Sequence, residues 1–133
     1  MSKKILVVED DQSFFNLVST ALTIRGYDIV HVSDGNVAVA RVKEEKPDLV
    51  LLDIILPGIS GLDILRELKE SEDTKHIKVI MLTNFGTDDN ISKAVELGAD
   101  DYFMKYNIVP SELPEKLAPY LGEASDSSVS VTN

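Results

Sequence analysis

The chain has no cysteine. That excludes disulfides, thiolate metal sites, thiol nucleophiles and redox switching, and it fits a reducing compartment. There are only two histidines, His31 and His76, too far apart to make a metal-ligand spacing. Long apolar runs are also missing. Behind the basic start Met1-Ser2-Lys3-Lys4 the apolar stretch covers only Ile5 to Val8, too little for a signal peptide or a membrane span. A cytoplasmic location without membrane contact is therefore expected. Positive charge is scarce, with 13 Lys and Arg against 23 Asp and Glu, a net −10. Such a chain repels nucleic acid unless its basic residues cluster, and here they are scattered, so no direct nucleic-acid contact is expected. The excess acid either serves solubility or is partly gathered at a cation site.

What is present suits one compact domain. A chain of 133 residues can bury a full core unaided. Residues 1–121 read as that domain. Residues 122–133, rich in Ser, Asp and Thr, lack apolar periodicity and read as a disordered tail.

Before the tail, short apolar runs alternate with amphipathic segments. Ile5–Val8 reads as a buried strand. Phe14, Val18 and Leu22 recur at helical spacing, with a stop at Arg25-Gly26. A brief strand follows around Asp28–Val32. A helix over Val37–Glu44 is opened by Ser33 or Asp34 and closed before Pro47. Leu49–Leu52 is the most apolar strand and reads as covered on both faces. After the Pro57-Gly58 turn, Leu62, Leu65 and Leu68 mark a third helix. Val79–Leu82 is a fourth strand, and Thr87 or Asp88 caps a helix running to Gly98. Tyr102–Met104 is a fifth strand and Glu112–Leu121 a last helix, bent or interrupted at Pro114 and Pro119. Five strands alternating with five helices predict an α/β, doubly wound parallel sheet with helices on both faces.

In such folds ligands sit beyond the carboxyl ends of the strands. Reading just past those ends gives Glu9-Asp10-Asp11, Asp53, Thr83 and Lys105. Each alone has an ordinary explanation: an acidic loop favouring the next helix N-terminus, a turn aspartate, a strand-end hydroxyl, a solvated lysine. Together they make a chemical set. A like-charge pair about 4 Å apart costs roughly 1 kcal/mol in water and about 4 at an effective dielectric near 20. A hard divalent cation removes that cost, and Mg²⁺ takes oxygen ligands while keeping exchangeable waters. Asp10 and Asp53 are the candidate ligands, with Glu9 acting directly or through water. Asp53 is then a credible nucleophile towards phosphorus, since phosphoryl transfer is mostly positioning plus stabilisation of three equatorial oxygens. Mg²⁺, the Lys105 ammonium and the Thr83 hydroxyl would serve one each.

The runs Ile-Leu-Val-Val-Glu9-Asp10-Asp11, Leu-Leu-Asp53-Ile-Ile-Leu-Pro57-Gly58 with Gly61, Met-Leu-Thr83 and Gly98-Ala-Asp-Asp-Tyr102-Phe-Met-Lys105 resemble the receiver domain of two-component response regulators, a CheY-like, flavodoxin-like fold. The resemblance covers roughly Lys3 to Leu121. It implies strand order 2-1-3-4-5, which is borrowed from that family. It also implies a phosphoryl group taken by Asp53 from a phosphohistidine on a sensor histidine kinase or histidine phosphotransfer protein. Glu9, Asp10, Asp53 and the backbone carbonyl of Ile55 would hold Mg²⁺, and Lys105 would pair with the phosphoryl group. Thr83 and Tyr102 would switch, and the α4-β5-α5 surface would report to a downstream protein. For Tyr102, half-buried strand packing is the plainer alternative. Since no output domain fits after Leu121, a stand-alone receiver or a fragment of a longer chain is expected.

Two departures stand out. Tyr106 follows Lys105 where the family usually has Pro, so a trans or locally different loop is expected. Asn84 follows Thr83 where a smaller residue is usual. Ile55 and Phe85, two residues beyond Asp53 and Thr83, are expected to limit attacking water. A hydrolase with an aspartate nucleophile would want an acid at position 55. A flavin or nucleotide binder would want a phosphate-cradling loop after the first strand. A receiver-fold module working without phosphorylation is the remaining alternative.

Overall fold

The structure, a computed structural model, describes residues 2–84 and 88–122. Five parallel strands form one sheet in the order β2-β1-β3-β4-β5. They are β1 (Lys4–Val8), β2 (Asp28–Val32), β3 (Leu49–Asp53), β4 (Lys78–Thr83) and β5 (Asp101–Met104). The helices are α1 (Gln12–Thr23), α2 (Ala38–Glu45), α3 (Gly61–Glu70), α4 (Asp88–Glu96) and a short α5 (Leu113–Leu117).

Strand side chains alternate between two faces, and the core divides accordingly. Leu6, Val8, Val50, Leu52, Val79 and Met81 pack with Ala38 and Val42 of α2, Ile64, Leu65 and Leu68 of α3 and Ala94 of α4. Ile5, Val7, Leu49, Leu51, Ile80 and Leu82 pack with Val18 and Leu22 of α1 and with Leu113, Leu117 and Leu121. Every residue of β3 is buried, as its unbroken apolar run requires. Each fully buried large apolar side chain contributes about 1.5–3 kcal/mol relative to exposure.

Register brings the functional ends together. Val8 lies opposite Leu52, Asp53 opposite Leu82 and Thr83 opposite Met104. Glu9, Asp53, Thr83 and Lys105 therefore leave the sheet at one rim. The opposite rim is pinned by Lys69, whose ammonium donates to the Ile77 carbonyl at 2.9 Å and to Asp100 Oδ2 at 3.2 Å. Asp100 Oδ2 also accepts the Val79 amide at 2.8 Å.

The last helix departs from the expected Glu112–Leu121. It breaks into a 3₁₀ turn at Pro110–Glu112, α5 itself, and a second 3₁₀ turn at Ala118–Leu121. Pro114 lies in the first turn of α5 and Pro119 in the closing turn, and neither has an N–H for an intrahelical bond. A 3₁₀ turn, Gly35–Val37, also precedes α2. Asp34 rather than Ser33 caps it, accepting the Asn36 amide. Lys46 then ends α2 with φ 49°, because the following Pro47 disfavours the right-handed helical region. Gly98, φ 97°, stops α4. Thr87, the side chain of Asp88, Phe85 and the tail beyond Gly122 lie outside the described residues. Among the described residues no helix is long and apolar enough to cross a membrane.

Candidate functional site

The loop between β1 and α1 carries the acidic triplet, and the structure separates its three members. Asp11 caps α1, its Oδ1 accepting the amides of Ser13 at 2.9 Å and Phe14 at 3.2 Å. The helix-terminus reading is therefore correct for this residue. Glu9 is fully buried, and Asp10 is exposed. Oxygens of Glu9, Asp10 and Asp53 lie within 4.8 Å of one another.

Asp53, the last residue of β3, is 3% exposed. Its backbone is held where β3 ends, by the Ile54 amide on Leu82 O at 3.0 Å and the Gly61 amide on Ile54 O at 2.7 Å. Its Oδ1 accepts the Ile55 amide at 3.3 Å. Lys105 Nζ donates to Asp53 Oδ2 at 2.8 Å and sits 2.5 Å from Glu9 Oε1. The second contact is an ion pair rather than an aligned hydrogen bond, since Glu9 Oε1 is buried without a hydrogen-bond partner among the described residues. Glu9 Oε2 accepts the Asp11 amide at 3.1 Å.

Electrostatics follow from this packing. Burial lifts the Glu9 carboxyl from its ordinary 4.5 to about 7, against the opposing pull of Lys105 and the Asp11 amide; the Asp53 charge adds to the rise. For Lys105, burial alone would lower the ammonium, but Asp53 and Glu9 together outweigh it and hold it above 10.5. Lys105 is thus a fixed cation. In the metal-free chain the folded state keeps the Glu9 proton to higher pH than the unfolded state. Stability therefore falls through this group as pH rises from about 4.5 to about 7 and levels off above that. Glu9→Gln is expected to flatten that slope, as read by urea denaturation in chelator at several pH values across the window. The raised Lys105 ammonium stays charged throughout it.

Three carboxylates face one ammonium here. The donors are hard oxygens, one of them a buried oxygen without an aligned donor. That set fits a small divalent cation, whose two charges would bring the cluster to neutrality.

Of the other expected residues, Thr83 is buried at the end of β4. Ile55 is 55% exposed beside Asp53, and its amide, already described, faces the carboxylate. Tyr102 is 36% exposed on edge strand β5. Its amide donates to Asp101 Oδ1 at 2.8 Å, while Asp101 Oδ2 accepts a short hydrogen bond from the Tyr120 hydroxyl. That carboxylate, with burial, pushes the Tyr120 phenol up to about 12. Tyr106 is exposed in a 3₁₀ turn over Lys105–Asn107. There is no cis peptide among the described residues, and Lys105 reaches both acids regardless. Asn84 is exposed, clear of the buried core.

Sequence reasoning overlooked two aromatic supports. The Phe14 ring lies 4.7 Å from Lys105 Nζ, close enough for a cation–π attraction. Phe15 stacks on His31. Periodicity marked Phe14 as core. The signal for more was an aromatic pair separated by two residues from an acidic run.

Residues 5–118 match the model of the response regulator receiver domain. The chain is 40% identical over 121 residues to the phosphate regulon transcriptional regulatory protein PhoB of Pseudomonas aeruginosa, covering 91% of this chain and 52% of that protein. It spans about half the length of the curated relatives it matches first. Among solved structures it resembles the BeF3-activated N-terminal receiver domain of Klebsiella pneumoniae RstA. The TM-score is 0.80 and the identity 35%, over 90% of this chain and 98% of that one. It also resembles the Mn²⁺-bound form of response regulator Rcp1, with TM-score 0.74 and 29% identity over 90% of each chain.

Proposed function

As the chain belongs to the response regulator receiver domain family, we propose that it is a phosphorylation-dependent signalling switch that takes a phosphoryl group from a phosphohistidine donor onto Asp53. The observation that carries this reading is the Lys105 ammonium held against both Asp53 and Glu9, with Asp10 beside them.

An Asp53 carboxylate oxygen forms the new bond to phosphorus as the phosphorus–nitrogen bond to the donor histidine breaks. The electron pair leaves with the imidazole. Lys105 offers its charge to one phosphoryl oxygen and Thr83 its hydroxyl to another. Glu9, Asp10, Asp53 and the Ile55 carbonyl are the residues that would hold Mg²⁺, which when bound supplies charge neutralisation at the acids and at a phosphoryl oxygen. Burial of Asp53 keeps bulk water from competing as acceptor, and Ile55 with Phe85 limits later hydrolysis.

The added group brings roughly −1.5 to −2 charges and strong acceptor oxygens. Lys105 and Thr83 answer to it, Tyr102 turns inward, and the α4-β5-α5 surface relays the state to a partner protein. Moving a 1:99 equilibrium to 99:1 takes about 5.5 kcal/mol of differential interaction, which the phosphoryl contacts to Lys105 and Thr83 would supply in part. The donor is a sensor histidine kinase or a histidine phosphotransfer protein, met in the cytoplasm. These residues, acidic as they are, touch neither nucleic acid nor membrane. Support comes from two similar proteins, one described as BeF3-activated and one as Mn²⁺-bound. The reach of Lys105 despite Tyr106 weighs against a module that works without phosphorylation.

Incubation with Mg²⁺ and a small phosphodonor is expected to add about 80 Da, one phosphoryl group, to the intact mass. Chelator is expected to abolish the gain. No gain in Mg²⁺ would remove the proposal.

A further inference from the structure

The carboxylates of Glu9 and Asp10 hang on a short loop, and the structure shows what holds that loop from outside. The Glu9 amide continues the ladder to β2, donating to Val32 O at 3.0 Å. The Glu9 carbonyl also reaches β2, meeting His31 Nε2 at 2.8 Å. A carbonyl can only accept, so Nε2 carries the proton. The same imidazole stacks on Phe15, centroids 3.6 Å apart and planes 6° off parallel. Phe15 sits in the first turn of α1, its amide bonded to Asp11 O at 3.0 Å. One half-buried side chain on an edge strand thus touches both ends of the segment that bears the acids.

Strand packing does not require a histidine there. A valine would fill a half-buried β2 position and satisfy the period-two pattern, but it would leave the Glu9 carbonyl without its donor. With that carbonyl fixed, the Glu9–Asp10 peptide plane is fixed. The plane sets the directions in which the two side chains leave the backbone. Mg²⁺ demands near-ideal octahedral geometry, so a small rotation of this plane shows up in affinity. We propose that His31 is a positioning residue for the cation site, clamping the Glu9–Asp10 peptide and the first turn of α1 so that both carboxylates meet the ion in register. The inference rests on the Asp53 phosphorylation reading, since it presumes that the acids bind a divalent cation.

The test is calorimetric titration of the full chain with Mg²⁺. His31→Phe keeps a ring for Phe15 and loses the donor. His31→Gln keeps an N–H donor and loses the stack. Val30→Ala, on the same strand and packed against the α2–α3 side of the core, reports simple loss of β2 stability. Partners that orient ligands typically change metal affinity about 10–100-fold, and since this one acts through the backbone, about three- to tenfold weaker binding is expected for His31→Phe. His31→Gln should recover to within about twofold of wild type and Val30→Ala should bind as wild type, with melting temperatures in chelator recorded for all three. At saturating Mg²⁺ the Asp53 phosphorylation rate of His31→Phe should return to wild type. Wild-type affinity in His31→Phe, or an equal loss in Val30→Ala, would overturn the clamp alone. Failure of the wild type to bind Mg²⁺ would overturn the phosphorylation reading and the clamp with it.

Discussion

Asp53→Asn is expected to stay folded and to lose the phosphorylation-dependent mass gain altogether, its rate with a small phosphodonor falling by at least about 10³-fold, as loss of a nucleophile does. The amide keeps the shape of the carboxylate, but its single oxygen can accept from only one of two donors, Lys105 Nζ on Oδ2 or the Ile55 amide on Oδ1. It removes the anionic oxygen proposed to attack phosphorus. It also removes one of the charges packed against Glu9, whose carboxyl the Asp53 charge helps to raise. Relief of that crowding offsets the lost acceptor, so stability in chelator should change little, while Mg²⁺ affinity falls. Intact mass, a urea transition and a Mg²⁺ titration on the same preparation separate these effects. A variant that still gained the phosphoryl mass would place the acceptor elsewhere.

Gly61→Ala is the second large effect, and its cause is steric. A Cβ at position 61 would meet the Asp53 carbonyl oxygen at 2.0 Å, the Ile54 Cα at 2.8 Å and the Asp53 carbonyl carbon at 2.9 Å. All three are backbone atoms that cannot rotate away. Overpacking commonly costs about 1–3 kcal/mol, and this position should lie at or above the top of that range. Relief requires moving α3 or Asp53 itself. A misplacement near 1 Å can cost about 10²-fold in rate, so phosphorylation should fall well beyond any loss of folded protein. Gly26→Ala is the comparison. Gly26 has φ +89° but nothing within 4 Å of an added Cβ, so it should lose only about 1 kcal/mol for the left-handed backbone. Equal urea midpoints for the two variants would contradict the close approach at Gly61.

The three central strands were readable because their apolar runs are buried on both sides, which leaves little ambiguity of type. Parallel pairing then carried the gathering of Glu9, Asp53, Thr83 and Lys105 at one rim. The final helix was less readable. Leu113, Leu117 and Leu121 keep helical spacing and are buried, so the pattern stays helical while Pro114 and Pro119 remove the hydrogen bonds that would join the pieces. Contacts between distant segments left no local trace. His31 against Glu9 spans 22 positions, and nothing in either neighbourhood announces it. Gly61 reads as a turn glycine until the fold shows a carbonyl in the place of its missing side chain.

The fastening of Asp53 has a mechanical corollary. Bonds from Ile54 to β4 and from Gly61 back to Ile54 leave the acceptor little freedom to recoil when a group is added to it. Lys105 is tethered differently, through its side chain, and follows an edge strand with a single neighbour. The backbone fastening therefore lies at Asp53, and the margin with one neighbouring strand lies on the side proposed to be read. A partner gripping both would have a stationary reference frame against which to gauge a short stroke of the sheet's margin.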